Sequence, residues 1–551
     1  MNIKIAFAAV AAAANGAEYP DRWVHVRNDL MDDAKLVHFE EVVGRAAACG
    51  FNGVMWDAGI GGEGVDFDGW TGMRRKRLEE AKRICQEKGM EIIPMLWSVG
   101  RAHALVNYDP TLAEGLPVRG VPFVAERGKA VFDASGAAAF EDAFGGIVKL
   151  DAKGRRSVWA TLKVKPHRRY RIEMSVRVKG FSRTSGEGAN KVTVRSSLSV
   201  SVSPVKGGKA TGTRESMPLR RFNDGAAKMM FDFVTMDADE VKVSAGIPAR
   251  ALQGEVTVER LDVREVGLRR PVVRAGLPLT VRNAETGAAY AAGRDYRPPK
   301  SDAAAARDND RDVEIAIPEG STITPGARLL VDCHEAARRG AHQVGACMAN
   351  PGLYEYFEKS APVIDELFGH PKKWFLSMDE IRAGGTCEAC AKSGKDLAHL
   401  LAQCLERQRD AIRKVRPDAI VYAWCDMYDP FVNAKPANRD KDYALCRGGF
   451  ASDGFLAPKD IVAVVWGGEE TAAQSLAYFA GNGVPTLYGT FYDVHSAEHF
   501  RVRGATGTVN KVPGCRGLMY TTWVGGGKYD LLEKFGEFMK ADSKPMPAPG
   551  K

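Results

Sequence analysis

The sequence predicts an α/β fold: a (β/α)8 TIM barrel with a large, jelly-roll-like β-sandwich insertion after its third strand. Three observations lead there. Short apolar, β-rich runs occur in two blocks, three in the first and five in the second. Stretches of helical period lie between the runs of each block, and strand alternating with helix implies a parallel sheet that eight such units close into a barrel. The stretch between the blocks places apolar residues at every second position, which indicates antiparallel strands packed as a sandwich.

The elements follow in order. Lys4 precedes the apolar run Ile5 to Ala14, too short for a bilayer span but shaped like a secretory signal with small residues near Ala14 and Ala17. Residues 1–17 are therefore expected to be a signal peptide, and the protein to be secreted or periplasmic. The first barrel part, 18–115, holds WVHVRND from Trp23, FNGVMWDA from Phe51 and EIIPMLWSVG from Glu91, parted by helical stretches such as RRKRLEEAKRICQEKG. The insertion, 116–339, includes RRYRIEMSVRVKGF, where Tyr170, Ile172, Met174, Val176 and Val178 alternate with polar neighbours. Its portion from about 125 to 267 is expected to form the sandwich, either a glycan-binding module of the carbohydrate-binding kind or a purely structural one. The alanine- and aspartate-rich stretch from Ser301 to Asp312 reads as an exposed loop. The second barrel part, 340–551, holds KKWFLSMDE from Lys372, DAIVYAWCDM from Asp418, DIVAVVWGG from Asp460, PTLYGTFYD from Pro485 and RGLMYTTWV from Arg516.

Composition narrows the function classes. A chain of 551 residues with 45% hydrophobic and 26% charged residues has the make-up of globular domains, which excludes a disordered protein. Lysine and arginine number 77 against 69 aspartate and glutamate; a net charge of only +8 with no basic block argues against nucleic acid as partner. No membrane span is expected, and composition does not set the oligomeric state.

In a barrel of this kind the lower lumen is packed with apolar side chains, so chemistry is sought at the C-terminal ends of the strands. Five of the nine tryptophans, Trp56, Trp97, Trp424, Trp466 and Trp523, lie near those ends. Arg27, His103, Asp426 and Tyr492 lie there too. Indole faces beside carboxylates suit a sugar ring, which offers apolar C–H faces and a rim of hydroxyls, so a glycan is the expected partner. The sharpest signal is Asp379-Glu380 at the end of WFLSMDEIR. Neighbours on a strand point to opposite faces, so this pair is poorly placed to flank a glycosidic bond as nucleophile and acid. It suits a substrate that supplies its own nucleophile.

WFLSMDEIR resembles the Asp-Glu signature of family 20 glycoside hydrolases, the β-N-acetylhexosaminidases, and IIPMLWSVGRAH is similar to their third-strand stretch. Family 123 glycosidases are similar as well. The resemblance implies a retaining, substrate-assisted hydrolase of β-linked N-acetylhexosamine, with Glu380 as general acid/base and Asp379 orienting the 2-acetamido group. It further implies substrate contacts from Arg27, from Tyr492 or Tyr488, and from Trp523. Burial among tryptophans beside Asp379 is expected to raise the pKa of Glu380, as an acid needs, whereas Arg382 pairing with either carboxylate would keep it ionised and weaken this reading. Ser377-Met378 stands where the family has two glycines, and Arg101-Ala102 precedes His103 where it has Pro-Gly. Two other readings follow from the residues. One is a glycosidase using separated carboxylates, Glu380 with Glu469, Asp426 or Asp493, on a sugar without an acetamido group. The other is a non-catalytic glycan-binding barrel.

Cys387-Glu-Ala-Cys390 follows the acidic pair. Its spacing suits zinc, a disulfide or unpaired thiols. A structural zinc site wants four ligands and no second Cys-x-x-Cys exists, so Cys347, Cys404 or His399 would have to complete it. The sequence assigns no metal to the site and no cofactor.

Overall fold

The computed structural model describes residues 19–28, 30, 32–57, 72–185, 192–195, 198–206, 208–210, 215–218, 224–247, 251–301, 312–339, 343–435, 445–467, 469–491, 512–523 and 529–542. The expected signal peptide and most of the alanine-rich loop lie outside them. Eight parallel strands close into a barrel: β1 (Asp21–Arg27), β2 (Gly53–Asp57), β3 (Glu91–Leu96), β4 (Lys373–Leu376), β5 (Ile420–Trp424), β6 (Val462–Trp466), β7 (Thr486–Phe491) and β8 (Cys515–Thr521). β8 returns to β1 with Asp21 opposite Gly517. The seam across the insertion is β3 against β4, where Met95 faces Phe375 and Leu96 faces Leu376.

Each strand is buried on both faces, which is why each reads as a continuous apolar run. One set of alternating residues, including Trp23, Met55, Ile93, Phe375, Tyr422, Val464, Leu487 and Met519, fills the lumen. The other set, including Val24, Val54, Trp374, Val421, Ala463 and Tyr520, packs against the helices. Gly53 makes room for the largest lumen side chain, since a Cβ there would come within 2.7 Å of the Trp23 ring. The helix layer comprises α1 (Asp33–Ala48), α2 (Met73–Glu87), α3 (Pro351–Leu367), α4 (Leu397–Val415), α5 (Glu469–Gly481) and α6 (Leu532–Asp542). Asp32, Asn350 and Asp396 cap α1, α3 and α4 by accepting from backbone N–H groups of the first turn. Among the described residues no helix is long and apolar enough to cross a membrane.

A buried ion cluster closes the barrel floor. Asp21 is fully buried at the start of β1, pairs with Lys373 Nζ at 2.7 Å, and accepts from Arg516 Nε at 2.6 Å and the Tyr422 hydroxyl at 2.7 Å. Lys373 also pairs with Glu91. One carboxylate thereby ties β1, β4, β5 and β8 at the end of the barrel opposite the strand C-termini.

The insertion holds two bodies of antiparallel sheet. A sandwich is built from a sheet centred on the long strands Arg169–Ser185 and Ala251–Val266 and a second sheet containing Ser157–Lys163, Ser199–Lys206 and Glu240–Gly246. Tyr170, Ile172, Met174, Val176 and Val178 all point into its core, as their alternation predicts. The strands Gly115–Glu126 and Lys129–Phe132 belong instead to a separate five-stranded sheet with Thr280–Asn283, Ile315–Ala316 and Arg328–Ala336. This sheet pairs the outgoing chain with the returning one, Gly115 opposite Ala336. Buried charge links it to the sandwich: Glu335 accepts from Arg169 and from the backbone N–H groups of Arg269 at 2.7 Å and Arg270 at 3.0 Å.

Candidate active site

The acidic pair lies just beyond β4, which ends at Leu376, so Asp379 and Glu380 are turn residues and strand alternation does not separate them. Glu380 adopts φ +46°, the left-handed region that non-glycine residues enter only when their surroundings impose it. The surroundings are specific. Gly100, in the loop after β3, lies against this peptide; a Cβ there would clash with the Asp379 carbonyl oxygen and come within 2.8 Å of the Glu380 carbonyl. Gln343, at the end of the insertion, donates its amide N–H groups to the carbonyls of Glu380 at 2.7 Å and Gly100 at 3.0 Å. The turn therefore aims both carboxyl groups at one guanidinium. Arg101 pairs with Glu380, and its Nε lies 3.8 Å from Asp379 Oδ2. Arg382 pairs with the other Glu380 oxygen at 2.7 Å, and Ser377 donates to Asp379 at 2.9 Å.

Asp426, just past β5, completes a three-carboxylate cluster. Its Oδ2 accepts from the Glu380 backbone N–H at 3.3 Å and from Asn433, while its buried Oδ1 has no hydrogen-bond partner among the described residues. Two of the three groups are shifted upward and one downward. Burial pushes Asp379 above the ordinary carboxylate range, against Arg101 and helped by Glu380. Burial, joined by the charge of Asp379, pushes Asp426 well above it. For Glu380 burial acts upward too, but Arg101 and Arg382 together outweigh it and hold the group below its usual value. The raised pKa expected of Glu380 is thus corrected: two guanidiniums hold it below its usual value, and the carboxyls shifted upward are Asp379 and Asp426.

The other sequence-nominated residues divide cleanly. Trp424 packs edge-on against Phe375 with ring centroids 5.1 Å apart and lies 5.6 Å from Trp523, which is 4.9 Å from His25. Trp466 packs partly buried against the same lumen cluster, so three tryptophans gather at the barrel axis. Trp56 and Trp97 face the helices, against Phe368 and Phe357. Tyr488 also turns outward into the helix layer, which removes it as a substrate contact, and Tyr492 and Asp493 lie outside the described residues. Arg27 pairs with Asp57 at 3.3 Å, and His103 opens the short helix His103–Tyr108. The side chains of Glu469 and Glu470 are likewise outside the described set. Near the site, Cys347 joins Cys387 and Cys390, whereas Cys404 is buried in α4 and His399 pairs with Asp396 at 2.7 Å.

No protein-family model and no curated protein sequence matches this chain. Among solved structures it is similar to a rhamnosidase from Novosphingobium sp. PP1Y, with TM-score 0.35 and 10% identity over 97% of this chain and 60% of that one. The chain thus spans 60% of that enzyme's length. A family 16 carbohydrate-binding module matches at TM-score 0.15 and 17% identity, over 24% of this chain and 88% of the module. The CBM22-1 xylan-binding domain from Paenibacillus barcinonensis matches at TM-score 0.14 and 13% identity, over 28% and 98%. Likeness at this level carries no functional argument, and function is read from the site itself.

Sequence reasoning named Arg382 as a partner for either carboxylate, as found at Glu380, but missed the other residues that build the site around the acidic pair. Arg101 and Ser377 stood in the nominated stretches, and two carboxylates in an apolar setting demand a cation nearby, a signal that could have found Arg101. Asn433 and Gln343 carried no such signal. Chemically, the cluster sets a carboxyl shifted upward beside one shifted downward. Environments that drive two carboxyls apart in pKa are those that divide acid from base.

Proposed function

We propose that this barrel is an exported glycoside hydrolase that removes β-linked N-acetylhexosamine from glycans by a substrate-assisted, retaining mechanism. The observation that carries the reading is the single turn that aims Asp379 and Glu380 at Arg101 while shifting them in opposite directions. Protonated Asp379 donates to the leaving oxygen as the substrate's acetamido carbonyl oxygen attacks the anomeric carbon. Ionised Glu380 accepts the acetamido N–H and stabilises the positive charge of the cyclic intermediate. Water, deprotonated by Asp379, then opens that intermediate with retained configuration. These roles are the reverse of those the family 20 resemblance implies, because the paired guanidiniums sit on Glu380. Trp424, Trp466 and Trp523 supply apolar faces for the ring.

Asp426 favours a second reading. Its raised pKa and its Oδ1, without a hydrogen-bond partner among the described residues, suit an acid working with Glu380 as nucleophile on a sugar without an acetamido group. Aryl β-N-acetylglucosaminide and β-N-acetylgalactosaminide, assayed beside the matching glucoside and galactoside, separate the two, as does inhibition by a thiazoline analogue of the cyclic intermediate. On the first reading Asp379→Asn loses about 10²- to 10⁴-fold with poor leaving groups and much less with good ones. Glu380→Gln loses activity with both. Cleavage of plain glycosides alone selects the second reading, and glycan binding without turnover selects a binding protein.

A further inference from the structure

Glu114, Cys347, Cys387 and Cys390 come from three distant parts of the chain and meet in a fully enclosed cluster, their ligand atoms all within 4.8 Å of one another. The three sulfurs form a nearly equilateral triangle: Cys347 to Cys387 is 3.6 Å, Cys347 to Cys390 3.7 Å and Cys387 to Cys390 3.6 Å. Glu114 Oε2 lies 3.5 Å from Cys390 Sγ. Zinc–sulfur bonds of about 2.3 Å at tetrahedral angles put sulfurs about 3.8 Å apart, and a carboxylate oxygen at about 2.0 Å from zinc falls about 3.5 Å from each sulfur. The three sulfur–sulfur spacings and the Glu114–Cys390 distance match those of a tetrahedral ligand shell.

We propose that these four residues form a closed structural zinc site, Cys3Glu, unrelated to the reaction chemistry. Thiolate sulfur with one carboxylate is a donor set zinc accepts, and four protein ligands leave no open position for catalysis. Binding displaces the three thiol protons to solvent. The surroundings are arranged as supporting contacts usually are. Glu114 Oε1 is fixed by the Thr386 N–H and hydroxyl, both at 2.8 Å, and the Cys387 N–H at 3.0 Å. Arg274, anchored on the Ala113 carbonyl at 2.8 Å, points Nη2 at Cys387 Sγ from 3.9 Å and offsets part of the negative charge. The site would fasten the start of the insertion at Glu114, its end at Cys347 and the loop that follows Asp379-Glu380 to one another.

The test uses the full chain, purified without chelators or added metal. Elemental analysis is expected to give about one zinc per chain. Iodoacetamide should modify Cys347, Cys387 and Cys390 only after zinc is withdrawn. Cys347→Ser and Cys390→Ser should lose the metal, while Cys404→Ser, with a buried thiol outside the cluster, keeps it. If the serine variants fail to fold, reconstitution of the wild-type chain with Co²⁺ still decides, since tetrahedral thiolate ligation gives intense visible absorption. Wild-type protein without zinc, whether its three thiols are free or two are joined in a disulfide, overturns the proposal, as does full zinc occupancy in Cys347→Ser.

Discussion

Gly100 holds the shape of the acidic turn by what it lacks: its α-carbon packs so closely on Asp379 and Glu380 that a methyl group would come within 2.8 Å of the Glu380 carbonyl. Gly100→Ala should therefore shift the two carboxyl groups while leaving the barrel folded. A misplacement of order 1 Å costs about 10²-fold in rate, so kcat/KM should fall by about that factor with little change in the thermal midpoint. Steady-state kinetics beside a melting curve checks both.

The opposed shifts at Asp379 and Glu380 fix the form of the pH profile. Activity needs Asp379 protonated and Glu380 ionised, so kcat/KM falls as pH drops through the lowered pKa of Glu380 and falls again as pH rises through the raised pKa of Asp379. Arg382→Met removes one of the two cations that hold Glu380 down, which moves the acidic limb to higher pH. An acidic limb unmoved in that variant would count against Glu380 as the ionised partner.

Asp426 bears on stability. Its folded-state pKa is raised, so the protonated form is favoured on folding; that contribution is present below the unfolded pKa and is lost as pH rises toward the folded one. Asp426→Asn removes the titration. Relative to wild type the variant should gain stability as pH rises from about 4 toward neutrality, read as a difference in thermal midpoint across a pH series.

On the barrel floor, Asp21→Ala leaves Lys373 and Arg516 facing each other without their common partner. Breaking a buried ion pair from one side costs about 3–5 kcal/mol, which denaturant unfolding followed by barrel tryptophan fluorescence should register. Asp21→Asn keeps the hydroxyl contact from Tyr422 and should cost less.

Glu335 is the corresponding link inside the insertion. Glu335→Ala leaves Arg169 its pairing with Asp232 but removes its link across to the sheet and the acceptor of two backbone N–H groups, so the sandwich should loosen from the five-stranded sheet. Limited proteolysis should then cut near Arg269, a site protected in the wild type.

All eight barrel strands were legible because burial on both faces writes each one as an apolar run, and Tyr170 to Val178 because a half-buried strand must alternate. The five-stranded sheet was less so. It pairs Gly115–Glu126 with Arg328–Ala336 across the whole sandwich, and no local pattern announces a partner so far along the chain. The site shows the same division. Asp379-Glu380 stood out as charge at the end of an apolar run, whereas Gln343 and Glu114 matter only through the return path of the insertion. The opposite pKa shifts depend on Arg101 and Arg382 reaching Glu380 together, which is a matter of a left-handed turn and not of residue type.

The pairing of Gly115 with Ala336 also bears on how the chain finds its fold. β3 and β4 are neighbours in the barrel, yet everything from Trp97 to Lys372 stands between them, and closing so long a loop in an unfolded chain is slow and entropically costly. A sheet that folds first and delivers its two ends side by side turns that span into a short connection. The insertion's native pairing thus brings the β3 and β4 ends of the chain together at the seam the barrel needs.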